Sequence, residues 1–174
     1  MESTVVLARA VDLDGLEAVY RTVHAADLHL TDHRHPSVGD RLRWTAEAPG
    51  FAAAVGYVGD ELAGAMMGCP LPAGTLWWRD LASAGEPGVT TEWEGRTFAL
   101  CEAFVLPGYQ RHRLGIRMIT ELLLSRTEER VSMAVAESNT RVWGALQAMR
   151  FRHVGDLVPF PGWRSHRMLV RDLR

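Results

Sequence analysis

The segment TFALCEAFVLPGYQRHRLGIRM, residues 97–118, joins a strand pattern to a helix pattern through a short basic loop. An apolar run rich in strand-forming residues covers residues 98–106 and contains a single carboxylate, Glu102. A proline and a glycine end the run, and apolar residues at helical spacing begin at Leu114. The unpaired N–H groups of such a loop and of the first helical turn attract an anion, and the helix dipole adds to the attraction. This arrangement predicts a phosphate-binding site directly after the strand.

The loop itself is basic, which strengthens that prediction. Arg111, His112 and Arg113 follow one another, and Arg117 lies one helical turn further on. Their side chains would add charge-assisted donors to the backbone N–H groups. The alternative interpretation is a solvated basic turn that binds nothing.

The remaining sequence predicts the order β-α-α-β-β-β-α-β-α-β-β, a mixed sheet flanked by helices in one layered α/β domain spanning residues 1–174. The predicted strands cover residues 4–9, 51–58, 61–68, 98–106, 131–136, 151–157 and 165–171. Three helices are predicted to start at capping side chains, Asp12 or Asp14, Ser37, and Ser138 or Asn139, and the first of them to extend to about residue 27. Residues 69–96 form the least regular stretch.

The composition is that of a soluble globular protein, with 47% hydrophobic and 23% charged residues and a net charge of −2. No apolar run approaches the roughly 20 residues that a membrane span requires. The charge balance gives no reason to expect a nucleic acid or an anionic membrane as partner. An early acid and the lack of a basic N-terminal segment argue against a signal peptide, and two cysteines are too few for a disulfide scaffold. We therefore expect a cytoplasmic protein. The chain has no lysine, which excludes Schiff-base chemistry.

Glu102 is the candidate general base. A carboxylate within an apolar strand is partly desolvated, which raises its pKa toward the pH at which an enzyme works. Such a group could accept a proton from an ammonium, directly or through a water molecule. The structural alternative is a carboxylate paired with an arginine of a neighbouring strand.

Three other groups of side chains have open interpretations. Histidines and an aspartate cluster between the first two predicted helices, at His24, Asp27, His29, His33 and His35, but their spacing matches no standard ligand motif, so no metal is predicted. With carboxylates at Asp27, Asp32 and Asp40, this region could attract a cationic amine, or could simply be solvated.

Aromatic residues could form a lid (Trp77, Trp78, Trp93) and a wall (Phe160, Trp163) around an acceptor, or could pack on the body of the protein. The two cysteines, Cys69 and Cys101, are expected to pack on adjacent strands, with an acyl-cysteine intermediate as the alternative.

The element order and the segment VLPGYQRHRLGI, residues 105–116, resemble the GNAT superfamily of acyl-CoA-dependent N-acyltransferases. The family's phosphate loop, Gln/Arg-x-x-Gly-x-Gly/Ala, follows a strand that ends in Val-x-Pro, and the matching residues here are Val105, Pro107, Gln110 and Gly115. A second family block, Asn-x-x-Ala-x-x-Leu-Tyr-x-x-x-Gly-Phe, is similar to NTRVWGALQAMRF, residues 139–151. Three departures from these blocks bear on the site: Arg113 and Arg150 replace glycines, and Leu146 replaces the tyrosine that protonates the leaving thiolate. Tyr109 and Ser138 are candidate substitutes for that tyrosine.

The resemblance implies a GNAT-like mixed sheet of about seven strands with splayed central strands, acetyl-CoA as acyl donor, and no metal. It implies a catalytic role for Glu102 and contacts to the donor from Phe104, Val105, Gln110, Arg111, His112, Arg113, Leu114, Gly115, Ile116, Asn139 and Trp143. The implied reaction is acetyl transfer to a primary amine by direct attack in a ternary complex, with a small molecule as the expected acceptor. A non-catalytic acyl-CoA-binding module and an acetyltransferase acting on protein or peptide amines are the alternatives, and a homodimer is an open option.

Overall fold

The computed structural model describes residues 2–83 and 86–174, and in them the predicted order of elements is confirmed. The strands are β1 (Ser3–Ala8), β2 (Ala52–Val58), β3 (Glu61–Pro70), β4 (Ala82–Ser83), β5 (Thr97–Val105), β6 (Arg130–Ala136), β7 (Arg152–Leu157) and β8 (His166–Asp172). The α-helices are α1 (Leu13–Val23), α2 (Val38–Glu47), α3 (Leu114–Leu124) and α4 (Thr140–Ala148), and 3-10 turns occupy Thr31–His33 and Pro107–Tyr109. The two-residue strand β4, within the irregular stretch, was not predicted.

The chain divides into two compact units, and β5 contributes to both. The first unit contains Met1–Cys69 and Leu100–Arg126, and the second contains Pro70–Ala99 and Thr127–Arg174. The single domain spanning residues 1–174 therefore stays a prediction.

The first unit places helices on both faces of antiparallel strands. Its strand order is β1-β2-β3-β5, and the β2–β3 hairpin turns at Gly59, whose φ of +57° suits a residue without a Cβ. One face packs against α1 and α2 through a buried cluster that includes Leu16, Tyr20, Leu42, Val55, Met67 and Phe104. The other face packs against α3, where a Cβ on Gly56 would lie 2.8 Å from the Met118 sulfur. These layers fix β5 and the start of α3 relative to each other.

Side-chain caps begin three of the helices, as the sequence predicts. The carboxylate of Asp12 accepts a hydrogen bond from Gly15 N at 3.1 Å, and the Ser37 hydroxyl accepts one from Asp40 N at the same distance. Asn139 caps α4 in the second unit, accepting from Val142 N at 3.2 Å. The predicted extension of α1 to residue 27 is wrong, because the chain leaves the helix after Val23.

The second unit is a mixed sheet with the strand order β5-β6-β8-β7-β4. Its β5–β6 ladder is parallel, and the other three ladders are antiparallel. The parallel ladder contains three residue pairs, Thr97–Ala99 with Arg130–Ser132, although β5 continues to Val105 and β6 to Ala136. The predicted mixed α/β fold is confirmed, and the splay of the two central strands stays a prediction.

The second unit contains a buried ion pair between Arg130 and Glu92. Arg130 and Glu92 are in contact at 2.6 Å, and their side chains are 4% and 1% exposed. The same oxygen of Glu92 also accepts hydrogen bonds from the Trp78 indole at 2.9 Å and the Thr97 hydroxyl at 2.7 Å. Arg130 donates further to the Val89 carbonyl at 2.8 Å. Trp78 is therefore a packing residue of this unit, as the alternative to a lid proposes.

Trp77 and Trp93 are also tied to the second unit. The indole of Trp77 donates to the Ser132 hydroxyl at 3.0 Å, and that of Trp93 donates to Glu129 at 3.1 Å.

Throughout residues 2–83 and 86–174, no helix has both the length and the apolar character that crossing a bilayer demands.

Candidate functional site

The loop that follows β5 is fastened to the strand at its base. The side-chain amide of Gln110 donates to the Val105 carbonyl at 2.9 Å, and Leu106 N donates to the Ala63 carbonyl of β3 at 2.8 Å. Backbone groups of successive strand residues point to opposite edges. Leu106 and Phe104 therefore direct theirs toward β3, and Val105 directs its N–H and carbonyl to the other edge of β5. Of the two strand residues predicted to contact the donor, Phe104 and Val105, only Val105 directs its N–H away from β3.

The backbone N–H groups of residues 111–116 are available to a ligand. Within the described part of the chain, none of these six groups donates a hydrogen bond to a protein acceptor. The first helical hydrogen bond of this region runs from Arg117 N to the Arg113 carbonyl at 2.9 Å. The N–H groups of Leu114, Gly115 and Ile116 belong to the first turn of α3, where no intrahelical partner exists. This is the backbone arrangement of an anion site.

Two arginines of the loop adopt backbone torsions that favour glycine. Arg111 has a φ of +70°, and Arg113, the N-cap of α3, has a φ of +62° and a ψ of 3°. Each such torsion costs a non-glycine residue about 1 kcal/mol. Arg150, which also stands where the family has a glycine, has a φ of +65°. At positions 113 and 150 the backbone thus has the positive φ that glycine adopts easily, although an arginine stands at each position.

Two neighbouring residues are engaged elsewhere. The Arg117 guanidinium donates to the carbonyl and the hydroxyl of Ser3 at 2.9 and 2.8 Å, so it is tied to the start of β1. The Tyr109 hydroxyl donates to the carboxylate of Glu61, a hydrogen bond that raises the pKa of Tyr109. Tyr109 is consequently a weak candidate for protonating a thiolate. His112 lies with Tyr109 and Ser3 at a small cavity of about 130 Å³.

Glu102 lies three residues before the end of the same strand, in a buried ion pair. Its carboxylate accepts from the Arg41 Nε at 2.7 Å, and its side chain is 12% exposed. Burial raises the pKa of Glu102, and the nearby Arg41 charge and hydrogen bond oppose that increase. The partner is an arginine, as the structural alternative anticipated, but it comes from helix α2 instead of a neighbouring strand. The carboxylate is thus largely desolvated and still slightly accessible.

Arg41 is the residue of this site that sequence reasoning missed. It lies on the buried face of α2, between Val38 and Thr45, so its helical spacing was the available signal. Its guanidinium also donates to the Asp32 and Pro36 carbonyls at 3.3 and 3.0 Å. Arg41 thereby connects the segment between α1 and α2 to the carboxylate of β5.

The same guanidinium connects Glu102 to the histidine-rich segment. Arg41 donates to the Tyr20 hydroxyl at 2.9 Å, and that hydroxyl is 2.6 Å from Nδ1 of His33. The ring of His24 lies 4.4 Å from that of Tyr20 and 4.6 Å from that of His33. Burial is the main cause that raises the pKa of Tyr20 to about 12. These histidines surround a tyrosine, and no metal-binding group of three or more His, Cys, Asp or Glu side chains occurs in residues 2–83 and 86–174.

The carboxylates predicted near this segment have separate environments. Asp32 is buried, and Asp27 is exposed. Asp40 accepts hydrogen bonds from Ser37 and Arg43, and these lower its pKa. No shared amine-binding arrangement follows from these contacts.

The remaining predicted site residues belong to the second unit. Asn139 caps α4, and the half-buried ring of Trp143 packs edge-on against His153 and beneath the Arg167 guanidinium. Leu146, at the position of the family's tyrosine, is 5% exposed in the core. Ser138 accepts a long hydrogen bond, 3.4 Å, from Arg164. The loop residues and Glu102 are therefore grouped in one unit, and Asn139 and Trp143 lie in the other.

No protein-family model matches this chain, and no curated protein matches it either. Solved structures do. The ribosomal-protein-S18-alanine N-acetyltransferase of Escherichia coli matches with a TM-score of 0.67 at 12% identity, over 99% of this chain and 94% of that one. An aminoglycoside 6′-N-acetyltransferase complexed with coenzyme A matches with a TM-score of 0.64 at 11% identity, over 97% of both chains. A Desulfovibrio desulfuricans protein assigned to the acetyltransferases of the GNAT family matches with a TM-score of 0.66 at 14% identity, over 99% of this chain and 100% of that one.

This chain has the GNAT fold. At identities below 20% the likeness establishes the fold alone, and it covers nearly the full length of each protein. The GNAT fold explains why the basic loop, the strand before it and the block beginning at Asn139 occur together in this order. The activity of the chain has to be argued from its own residues.

Proposed function

We propose that this chain is an N-acetyltransferase that moves the acetyl group of acetyl-CoA to a primary amine of a small molecule by direct attack in a ternary complex. The single observation that supports this most is the set of six unengaged N–H groups of residues 111–116, at the end of β5 in a GNAT fold. Such a cradle suits the pyrophosphate of coenzyme A, because backbone donors and the helix dipole both favour an anion. The exposed side chains of Arg111, His112 and Arg113 add cationic donors.

In this proposal Val105 N–H binds the pantetheine arm or the oxyanion formed at the thioester carbonyl. That N–H lies on the edge of β5 opposite to β3. Phe104 would contribute through its position in the core beneath the strand, since its backbone faces β3. Gln110 would hold the loop in place through its bond to the Val105 carbonyl. Asn139 and Trp143 stay candidates for the nucleotide end of the donor, on the strength of the family block alone.

Glu102 would accept the proton that the attacking amine loses. The amine nitrogen bonds to the thioester carbonyl carbon, the carbon–sulfur bond breaks, and the products are an acetamide and the thiolate of coenzyme A. The raised pKa of Glu102 makes it a better base than an exposed carboxylate, and Arg41 keeps it ionised. Transfer runs directly or through one water molecule.

The leaving thiolate has no tyrosine to protonate it, because the corresponding position is the buried Leu146. A thiol of pKa near 8.5 leaves as a thiolate at pH 7 for about 2 kcal/mol. An enzyme without that acid is therefore slower and still competent. The same substitution is the observation that favours the alternative, an acyl-CoA-binding module that does not turn over.

The acceptor could also be a protein, since the solved structures with this fold include both a protein-directed and an aminoglycoside-directed acetyltransferase. We favour a small molecule because the half-buried rings of Phe160 and Trp163, which lie 4.9 Å apart, suit the wall of a pocket. A cytoplasmic location belongs to the proposal as well, because two cysteines are too few for the disulfide scaffold of a small secreted domain.

Calorimetric titration with coenzyme A tests the donor site. We expect binding that weakens as salt is added and that falls about tenfold in Arg111→Ala, because charge-assisted donors to phosphate are lost. Arg9→Ala is the matched control, because it also removes an exposed arginine. Ser3, at the start of β1, is bonded to Arg117 beside the loop, whereas Arg9 follows the other end of that strand. Pantetheine, which lacks the pyrophosphate, should bind weakly to all three proteins.

If the affinity for coenzyme A changes neither with salt concentration nor on the Arg111→Ala substitution, the proposed phosphate site is wrong. Release of free coenzyme A from acetyl-CoA in the presence of amines and of peptides then separates the functions. Acetylation of small amines supports the proposal, acetylation of peptides alone supports the protein-directed alternative, and tight binding without any product supports the non-catalytic module.

The pH dependence of acetyl transfer tests the role given to Arg41. Its charge lowers the pKa of Glu102, so Arg41→Met should raise that pKa further, and the acidic limb of kcat/KM should move to higher pH. Activity at neutral pH is then lost and partly recovered in alkaline buffer. Tyr20→Phe, which keeps the Arg41–Glu102 contact, should leave the limb in place. A limb that is the same in Arg41→Met and the parent protein would show that Glu102 does not control the rate.

A further inference from the structure

The two cysteines of the chain lie side by side in the first unit. Cys69 is on β3 and Cys101 is on β5, strands that are neighbours in the sheet, although 31 residues separate them in sequence. Their thiols are in hydrogen-bond contact with each other, and both are half-buried. Cysteines that only fill a core are enclosed and inert. A contacting, partly accessible pair has different chemistry open to it.

The surroundings of the two thiols shift their pKa values in opposite directions. The hydrogen bond from Cys101 lowers the pKa of Cys69, burial opposes this, and the Arg126 guanidinium adds to the lowering. The contact with Cys69 and burial both raise the pKa of Cys101. Cys69 is thus the more acidic thiol of the pair, and Cys101 is the less acidic one. A low-pKa thiol beside a second thiol is the arrangement in which oxidation ends in a disulfide.

We propose that Cys69 and Cys101 form a reversible intramolecular disulfide when the protein meets a peroxide, with Cys69 as the thiol that reacts first. The Cys69 sulfur attacks one oxygen of hydrogen peroxide, which breaks the O–O bond and gives a sulfenic acid and water. The Cys101 sulfur then attacks the Cys69 sulfur, the S–O bond breaks, and the departing hydroxide takes the Cys101 proton to form a second water. Two thiols and one peroxide become one disulfide and two waters, and a dithiol reductant reverses the change.

The position of this bond gives it a consequence for the site. Cys101 directly precedes Glu102, so a covalent link from β3 to β5 at this point constrains the residue whose carboxylate is paired with Arg41. The inference does not depend on acetyl transfer, since its readout is the state of the thiols. If acetyl transfer is observed, the reduced and oxidised proteins should differ in rate.

Mass spectrometry of the parent protein after treatment with hydrogen peroxide tests the proposal. The expected result is the loss of two hydrogens, the loss of both alkylatable thiols, and a single cross-linked peptide joining residues 69 and 101, all restored by dithiothreitol. In the reduced protein, iodoacetamide should modify Cys69 about tenfold faster than Cys101, because the thiolate is the reacting form. These measurements need no variant, so a variant that folds poorly leaves them intact.

Two serine variants separate the steps. Cys101→Ser should accumulate a sulfenic acid on Cys69 that dimedone traps, because the second thiol is missing. Cys69→Ser should show little trapping at Cys101. Thiols that both stay alkylatable after peroxide, a Cys101 that reacts first, or disulfides only between separate chains on a non-reducing gel would each overturn the proposal.

Discussion

Glu102→Gln should lower kcat/KM for acetyl transfer about 100- to 10,000-fold, the usual contribution of a general base, while the affinity for coenzyme A stays within about twofold. Glutamine has nearly the shape of glutamate and can still accept the Arg41 hydrogen bond, so the local packing survives. It cannot accept a proton at neutral pH. Steady-state release of coenzyme A, together with calorimetric affinity for the donor, measures the two quantities separately.

Glu47→Gln is the matched control, because Glu47 is an exposed carboxylate at the end of α2. It should leave both quantities unchanged. An active Glu102→Gln protein would mean that the base lies elsewhere and that the carboxylate serves only to hold Arg41. A variant that loses affinity for coenzyme A as well as rate would point to a disturbed fold.

Glu92→Ala should lower the free energy of unfolding by about 3–5 kcal/mol, because it leaves the buried Arg130 guanidinium without its counter-charge. The Trp78 indole and the Thr97 hydroxyl lose an acceptor in the same step. Urea denaturation followed by tryptophan fluorescence measures the change. For a chain of this length the melting temperature should fall by about 3 °C for each kcal/mol lost.

Glu86→Ala provides the comparison within the same unit. Glu86 is also paired with an arginine, Arg152, at 2.8 Å, but both side chains are more than one third exposed. Solvent screens that pair, so its loss should cost about 0–1 kcal/mol. If the two variants unfold at the same urea concentration, burial of the Arg130–Glu92 pair is not what stabilises this part of the protein.

Local sequence patterns were sufficient for much of the fold. Helical spacing and capping side chains located α2 and α4, and the alternation of a strand with a basic loop located β5 and α3. These features are decided by residues within a few positions of one another. The end of α1 was missed because the helix stops at Val23 without a glycine or proline in the next four residues to mark the stop.

The contacts that join distant parts of the chain could not be predicted. Glu102 and its partner Arg41 are 61 residues apart. The sequence around either residue gives no indication of which residue it will pair with. For the same reason Trp78 could be read as a lid or as a packing residue until its bond to Glu92 was seen. The sequence does narrow each choice, because a charged residue inside an apolar pattern must find a partner when it is buried.

The left-handed arginines of the loop limit how this protein can change. At Arg111 and Arg113 one side chain supplies the cation while its own backbone makes the bend. Glycine would relax the bend and discard the charge, asparagine would tolerate the bend but bring no charge, and lysine would keep a charge without the planar fork that grips two phosphate oxygens. No single substitution preserves the bend, the charge and the planar fork together, so every replacement of either arginine is weaker in at least one of these properties.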